Sequence, residues 1–168
     1  MPGGSATVPF TGEVLWHPAA DTTIWALQTD RYRLSRLSLA GDTIRSAEIP
    51  FERTRLSEAD RALADEFFEE LKQEGVVADR SILPRDKPAA VSFFVAPDGT
   101  LWVERYTEPD QLGRRWDIVD SASLRTRAVV MSAVPISRFP VPVVRGNRVI
   151  AATVDSLGAP HVVVLRRQ

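Results

Sequence analysis

The chain is expected to be mainly β, built from a repeated antiparallel meander and interrupted by one amphipathic helix. Three observations lead there. The phrases "DTTIWA" (Asp21 to Ala26) and "DGTLWV" (Asp98 to Val103) place an aliphatic–Trp–aliphatic run after the same kind of polar turn. Aliphatic runs ending in turn residues continue downstream of each, at "LSLAGDTIR" and "DIVDSASLR". A charged stretch between the copies, "LSEADRALADEFFEELKQEG", carries helical rather than strand periodicity.

The first unit, 11–50, divides into strands at Glu13 to His17, Thr23 to Gln28, Tyr32 to Leu39 and Thr43 to Ile49. Asp, Gly and Pro between them supply the backbone conformations that tight turns need. Tyr32 and Leu34 share one strand face while Leu37 and Leu39 share the other, so a bulge is expected near Ser35 or Arg36. The second unit, 89–131, gives Ala90 to Ala96, Thr100 to Tyr106, Arg115 to Asp120 and Leu124 to Val130. The third, 135–167, gives only Val141 to Arg145, Arg148 to Val154 and Pro160 to Arg166, with Ile150 in the place of the tryptophans. Trp102 and Ile150 lie 48 residues apart, and Trp25 and Trp102 lie 77 apart; setting aside 52–88 reduces the latter to 40.

The second strands ("TIWAL", "TLWV", "RVIAATV") are apolar at consecutive positions, as when both faces of a strand are covered. Sheets of about 40–50 residues stacked face to face make a β-propeller, and the prolines of "FPVPVV" suit an edge strand lining its channel. The fold class is therefore all-β: a single domain over 1–168, a partial β-propeller of about three antiparallel blades in an open arc, the last incomplete, with one inserted amphipathic α-helix. A β-sandwich with chance similarity between hairpins is the alternative.

In the insert, 52–88, Ser57 followed by Asp60 reads as an N-cap with an acidic N3 residue, and Gly75 as the stop. Ala59, Leu63, Phe67 and Leu71, widened by Phe68, form an apolar stripe expected to face the sheets. Asp65, Glu66, Glu69, Glu70 and Glu74 occupy the opposite side, most simply as a solvated face. A lid or partner-binding helix is the other reading. The two prolines after it favour an extended return.

Chemistry is sparse. The chain has no cysteine, which removes disulfides, thiolate catalysis and Cys-based zinc sites. His17 and His161 lie beside prolines at strand ends, without acidic clusters at ligand spacing, so they read as unrelated edge residues rather than a metal pair. No nucleophile elbow and no phosphate loop is present. The formal charge is −1, but 52–80 holds nine acids against five bases and 121–168 holds seven arginines against Asp155 alone. Without interleaved aromatics the basic tail reads as solvated strand faces, and no nucleic-acid partner is expected. No segment is long and apolar enough for a membrane span, and the N-terminus does not read as a signal peptide.

The phrases "DTTIWALQTDRYRLSRLSLAGDTIR" and "APDGTLWVERYTEPDQLGRRWDIVDSASLR" resemble six-bladed β-propellers of the TolB-like and NHL-like kind, particularly bacterial members with a helical insert between blades. The resemblance implies six blades, of which this chain would supply about half. Completion would come from a homodimer of half-propellers or from blades in a longer chain. It also implies export, to periplasm or beyond, should the chain be an N-terminally truncated piece. Some such propellers are calcium-dependent lactonases or lyases with acidic and Asn ligands in the channel. The first strands here offer only Glu13, Ser92 and Arg145. A non-catalytic binding or scaffold module, with no catalytic residue, metal or cofactor and a protein or small-molecule ligand, is therefore the leading expectation. Half of a calcium-dependent hydrolase or lyase is the alternative.

Overall fold

A computed structural model describes residues 8–19, 21–106, 113–132 and 134–166. Eleven strands among them form three antiparallel sheets. Sheet 1 runs β1 (Val14–Pro18), β2 (Thr23–Gln28), β3 (Arg33–Ser38) and β4 (Thr43–Glu48) in spatial as in chain order. Helix α1 (Glu58–Gln73) follows. Sheet 2 repeats the meander with β5 (Ser92–Val95), β6 (Leu101–Arg105), β7 (Arg115–Val119) and β8 (Thr126–Met131). Sheet 3 has β9 (Val143–Arg145), β10 (Arg148–Val154) and β11 (Pro160–Arg166), with β10 central. Every expected strand is present within a few residues of its expected limits.

The repeat extends to register. Trp25 lies opposite His17 and Arg36, and Trp102 opposite Phe94 and Ile118. The register shift expected near Ser35 or Arg36 falls between Arg36 and Leu37, and sheet 2 shifts at the equivalent place, between Ile118 and Val119.

Alternate residues of the second strands serve different cores. Trp25 and Leu27 of β2 bury with Leu101 and Val103 of β6 in a core shared by sheets 1 and 2. Trp102, between those two, turns the other way and buries with Val144, Val149 and Ala151 of sheet 3. Sheet 2 is thus covered on both faces, which is why β6 is apolar at consecutive positions. Phe94 stacks on Trp102 with ring centroids 5.7 Å apart, and Trp116 closes the group edge-on at 5.5 Å from Phe94.

Helix α1 starts as expected. Ser57 accepts a hydrogen bond from the Asp60 backbone, and the Asp60 carboxylate accepts from the Ser57 N–H in return, a capping box. It ends in a Schellman turn at Gly75 (φ +80°), with Val76 N–H on Leu71 O and Gly75 N–H on Lys72 O.

Two details of the insert differ from expectation. The buried stripe is Asp60, Ala64, Phe68 and Leu71, while Leu63 is 56% exposed and Phe67 half-buried. Asp60 sets this phase, because Ser57 and Lys87 hold its carboxylate inward. The helix buries Ala64 and Phe68 with Val8, Ala78 and Leu83, a cluster separate from the two sheet cores. The extended return also contains one short 3₁₀ turn, Arg80–Ile82, capped by Asp79.

Candidate functional site

The sheets have two ends. The hairpin end carries the β1–β2, β5–β6 and β9–β10 turns; the insert end carries the β2–β3 turn and both junctions with the insert. Charged side chains are buried at the insert end, and the sequence of β6 explains why. In "LWVER" Glu104 is in phase with Trp102 and Arg105 with Val103, so strand alternation sends the carboxylate to one face of sheet 2 and the guanidinium to the other.

Glu104 is 2% exposed. It accepts from Ser92 Oγ at 2.6 Å, from Arg138 Nε at 3.0 Å and from Arg138 Nη2 at 3.2 Å, and it is paired with Arg114 Nη1. Arg114 also donates through Nε to the Ile136 carbonyl, so this triad ties β5, β6 and β7 to the segment before β9.

On the opposite face, Asp117 accepts from Tyr32 Oη at 2.9 Å and from Arg105 Nη1 at 2.8 Å. Arg105 donates in addition to the Ala89 carbonyl, and its guanidinium carbon lies 4.8 Å from the Tyr32 ring centroid. Burial, then the Asp117 charge, pushes the Tyr32 phenol well above its usual range, so it remains a donor. Arg115 Nε stands 3.7 Å from the other Asp117 oxygen.

A third buried pair, Lys87 Nζ to Asp60 Oδ2 at 2.9 Å, fixes the insert. Tyr106 senses the Arg138, Glu13, Asp60 and Glu104 charges together; burial dominates and raises its pKa. A cavity of about 390 Å³, lined in part by Thr54, Arg105, Tyr106, Arg115 and Asp117, opens at this end.

Chemically, the arrangement is an ion-pair network. Both strand carboxylates are neutralised by guanidinium groups. The cationic side is the more accessible one: Arg115 and Arg138 have side chains 45% and 44% exposed. Donors held this way suit recognition of a carboxylate or another anionic group on a partner.

The residues singled out in the sequence mostly stay apart. His17 and His161 sit on sheets 1 and 3, with sheet 2 between; His17 packs near Phe93 and His161 bonds Asp155 Oδ2 at 2.8 Å. Ser92 enters the Glu104 triad. Glu13 and Arg145 are exposed. On the helix, Glu66, Glu70 and Glu74 are exposed and Glu69 pairs with Arg80 at 2.6 Å. Among the described residues no three His, Asp or Glu side chains gather as a metal site, and no helix is long and apolar enough to cross a membrane. The signal that would have found the network is a charge in phase with a buried aromatic, as Glu104 is with Trp102. Comparison of the chain with protein-family models, with curated proteins and with solved structures found no match.

Proposed function

We propose that the chain is three consecutive blades of a six-bladed β-propeller and acts as a non-catalytic binding or scaffold module. A protein or small-molecule ligand with an anionic group docks at the insert end, where Arg115 and Arg138 face solvent. The remaining blades come from a second copy or from further parts of a longer polypeptide. The observation that carries the functional half is the state of the carboxylates. Glu104 and Asp117, the two buried carboxylates of sheet 2, are each held by arginine and form no oxygen-rich cage for a hard cation. The fold half is supported by the common direction in which Trp25 and Trp102 face along the sheets.

Calcium titration followed by thermal melting, run beside a lactone-hydrolysis assay, tests the reading. An unchanged melting temperature and no turnover are expected. A calcium-dependent rise in melting temperature together with hydrolysis, both lost on chelation, would replace it with the hydrolase alternative.

A further inference from the structure

Each sheet has two unlike faces, and the chain repeats them in one direction. The trailing face, holding Trp25 in sheet 1 and Trp102 in sheet 2, is received by the leading face of the next sheet. In sheet 2 the leading face is Phe93, Val95, Leu101, Val103 and Val119, of which the last three are fully buried by sheet 1. The same register positions in sheet 1 are Trp16, Pro18, Ile24, Ala26 and Leu37. All five are apolar, yet no sheet among the described residues covers them, and Trp16 is 70% exposed.

Sheet 3 has the complementary deficiency. Its leading-face residues Val144, Val149 and Ala151 are buried against sheet 2. Its trailing face presents Val143, Ile150 and Val164 in one row and Ala152 with Val162 in the next. Val162 is 75% exposed.

We propose that a second copy of this chain covers both faces. The trailing face of sheet 3 in one copy packs on the leading face of sheet 1 in the other, twice per pair, closing a symmetric dimer. Continuity with the packing inside the chain supports this occupant. Val143, Ile150 and Val164 hold the register positions that Phe94, Trp102 and Ile118 hold in sheet 2, on the face that sheet 3 covers. A second copy therefore offers each open face the kind of face that its equivalent already meets within one chain. In the sheet 1–sheet 2 contact the hairpin ends lie together, with Pro18, Ala19 and Asp21 lining one cavity with Val95, Pro97 and Gly99, and the same alignment is expected across the dimer. Closure as a six-bladed ring rests on the propeller reading above; the face pairing itself rests on register and burial.

Sedimentation velocity on the full chain, with Trp16→Glu and Val164→Glu variants, tests the pairing. Both positions are exposed, so both variants should keep a cooperative melt. The native chain should sediment at twice its chain mass, and each substitution should weaken pairing by about 100-fold or more. A native monomer at micromolar concentration, an open filament, or loss of pairing in only one variant would each overturn the proposal. The two readings fail separately. A dimer that behaves as expected but scatters X-rays as a rod, not a hollow disc, keeps the face pairing and removes the propeller. A monomer removes the pairing and leaves the blades to be completed within a longer chain.

Discussion

Trp25 and Trp102 face the same way along the stack of sheets, each toward the sheet that follows it in the chain, and both are almost wholly buried. Their local partners differ: Arg36 lies over the Trp25 ring at 5.7 Å, while Trp102 stacks on Phe94. Replacing either by Ala should cost about 3–5 kcal/mol by opening a cavity between sheets. Denaturant unfolding with tyrosine or far-ultraviolet detection measures this, and a loss under 1 kcal/mol at either position would deny it a role in the core.

The Glu104 triad should respond asymmetrically. Arg138 and Arg114 can swing into water, whereas Glu104 cannot. Removing both arginines as Met strands a buried carboxylate and should cost on the order of 3 kcal/mol. Adding Glu104→Gln to that pair should restore part of the loss. Purely additive changes in the double-mutant cycle would mean that the three groups are not coupled.

Gly113 should tolerate no side chain, because a Cβ there would come 2.0 Å from the Ser132 carbonyl oxygen. Gly113→Ala should lower stability by about 1–3 kcal/mol, seen as a drop of several degrees in melting temperature. Gly41, with open space around it, tolerates the volume but not the φ of +91°.

Acid should weaken the insert. Burial opposes ionisation of Asp60, yet hydrogen bonds from Ser57 and Lys87 outweigh it and hold the pKa below the ordinary 3.8. A carboxylate depressed in the folded state contributes stability above its unfolded pKa and loses it as pH falls through the folded one. Helical circular dichroism should therefore decline below about pH 4, and Asp60→Asn should weaken the helix at neutral pH while flattening that decline. A decline unchanged in the Asn variant would assign the acid sensitivity elsewhere.

Helix phase gives a further check. Phe68→Ala should cost about 3 kcal/mol and Leu63→Ala well under 1. The reverse order would place the apolar contact on the Leu63 side.

The strands, turns and bulge were legible because they follow from local patterning: a period of two, runs covered on both faces, and Gly or Asp between them. The phase slip at Tyr32, Leu34, Leu37 and Leu39 located the register shift without any knowledge of a partner strand. The helix was legible in extent but not in phase. Leu63 and Phe67 outbid Asp60 on hydropathy, and nothing local reveals that Lys87 waits for that carboxylate. The site was not legible at all, since Glu104 meets Arg138 and Tyr32 meets Asp117 across separations that only the sheet stacking closes.

The insert joins the sheets through a narrow neck. Leu56 N–H bonds Arg85 O, Lys87 N–H bonds Thr54 O, and Arg55 bridges Asp86 between them. Chain departure and return are therefore zipped together before the helix begins, so the sheets register only the neck. Closing a longer or shorter loop above such a zipper changes the entropy by little, roughly 0.6 kcal/mol per doubling of length. Lineages are free to swap, trim or elaborate what sits above residues 56 and 85 at little cost to the frame as long as the graft returns a carboxylate to the buried Lys87, as Asp60 does, which makes this junction the natural graft point of the molecule.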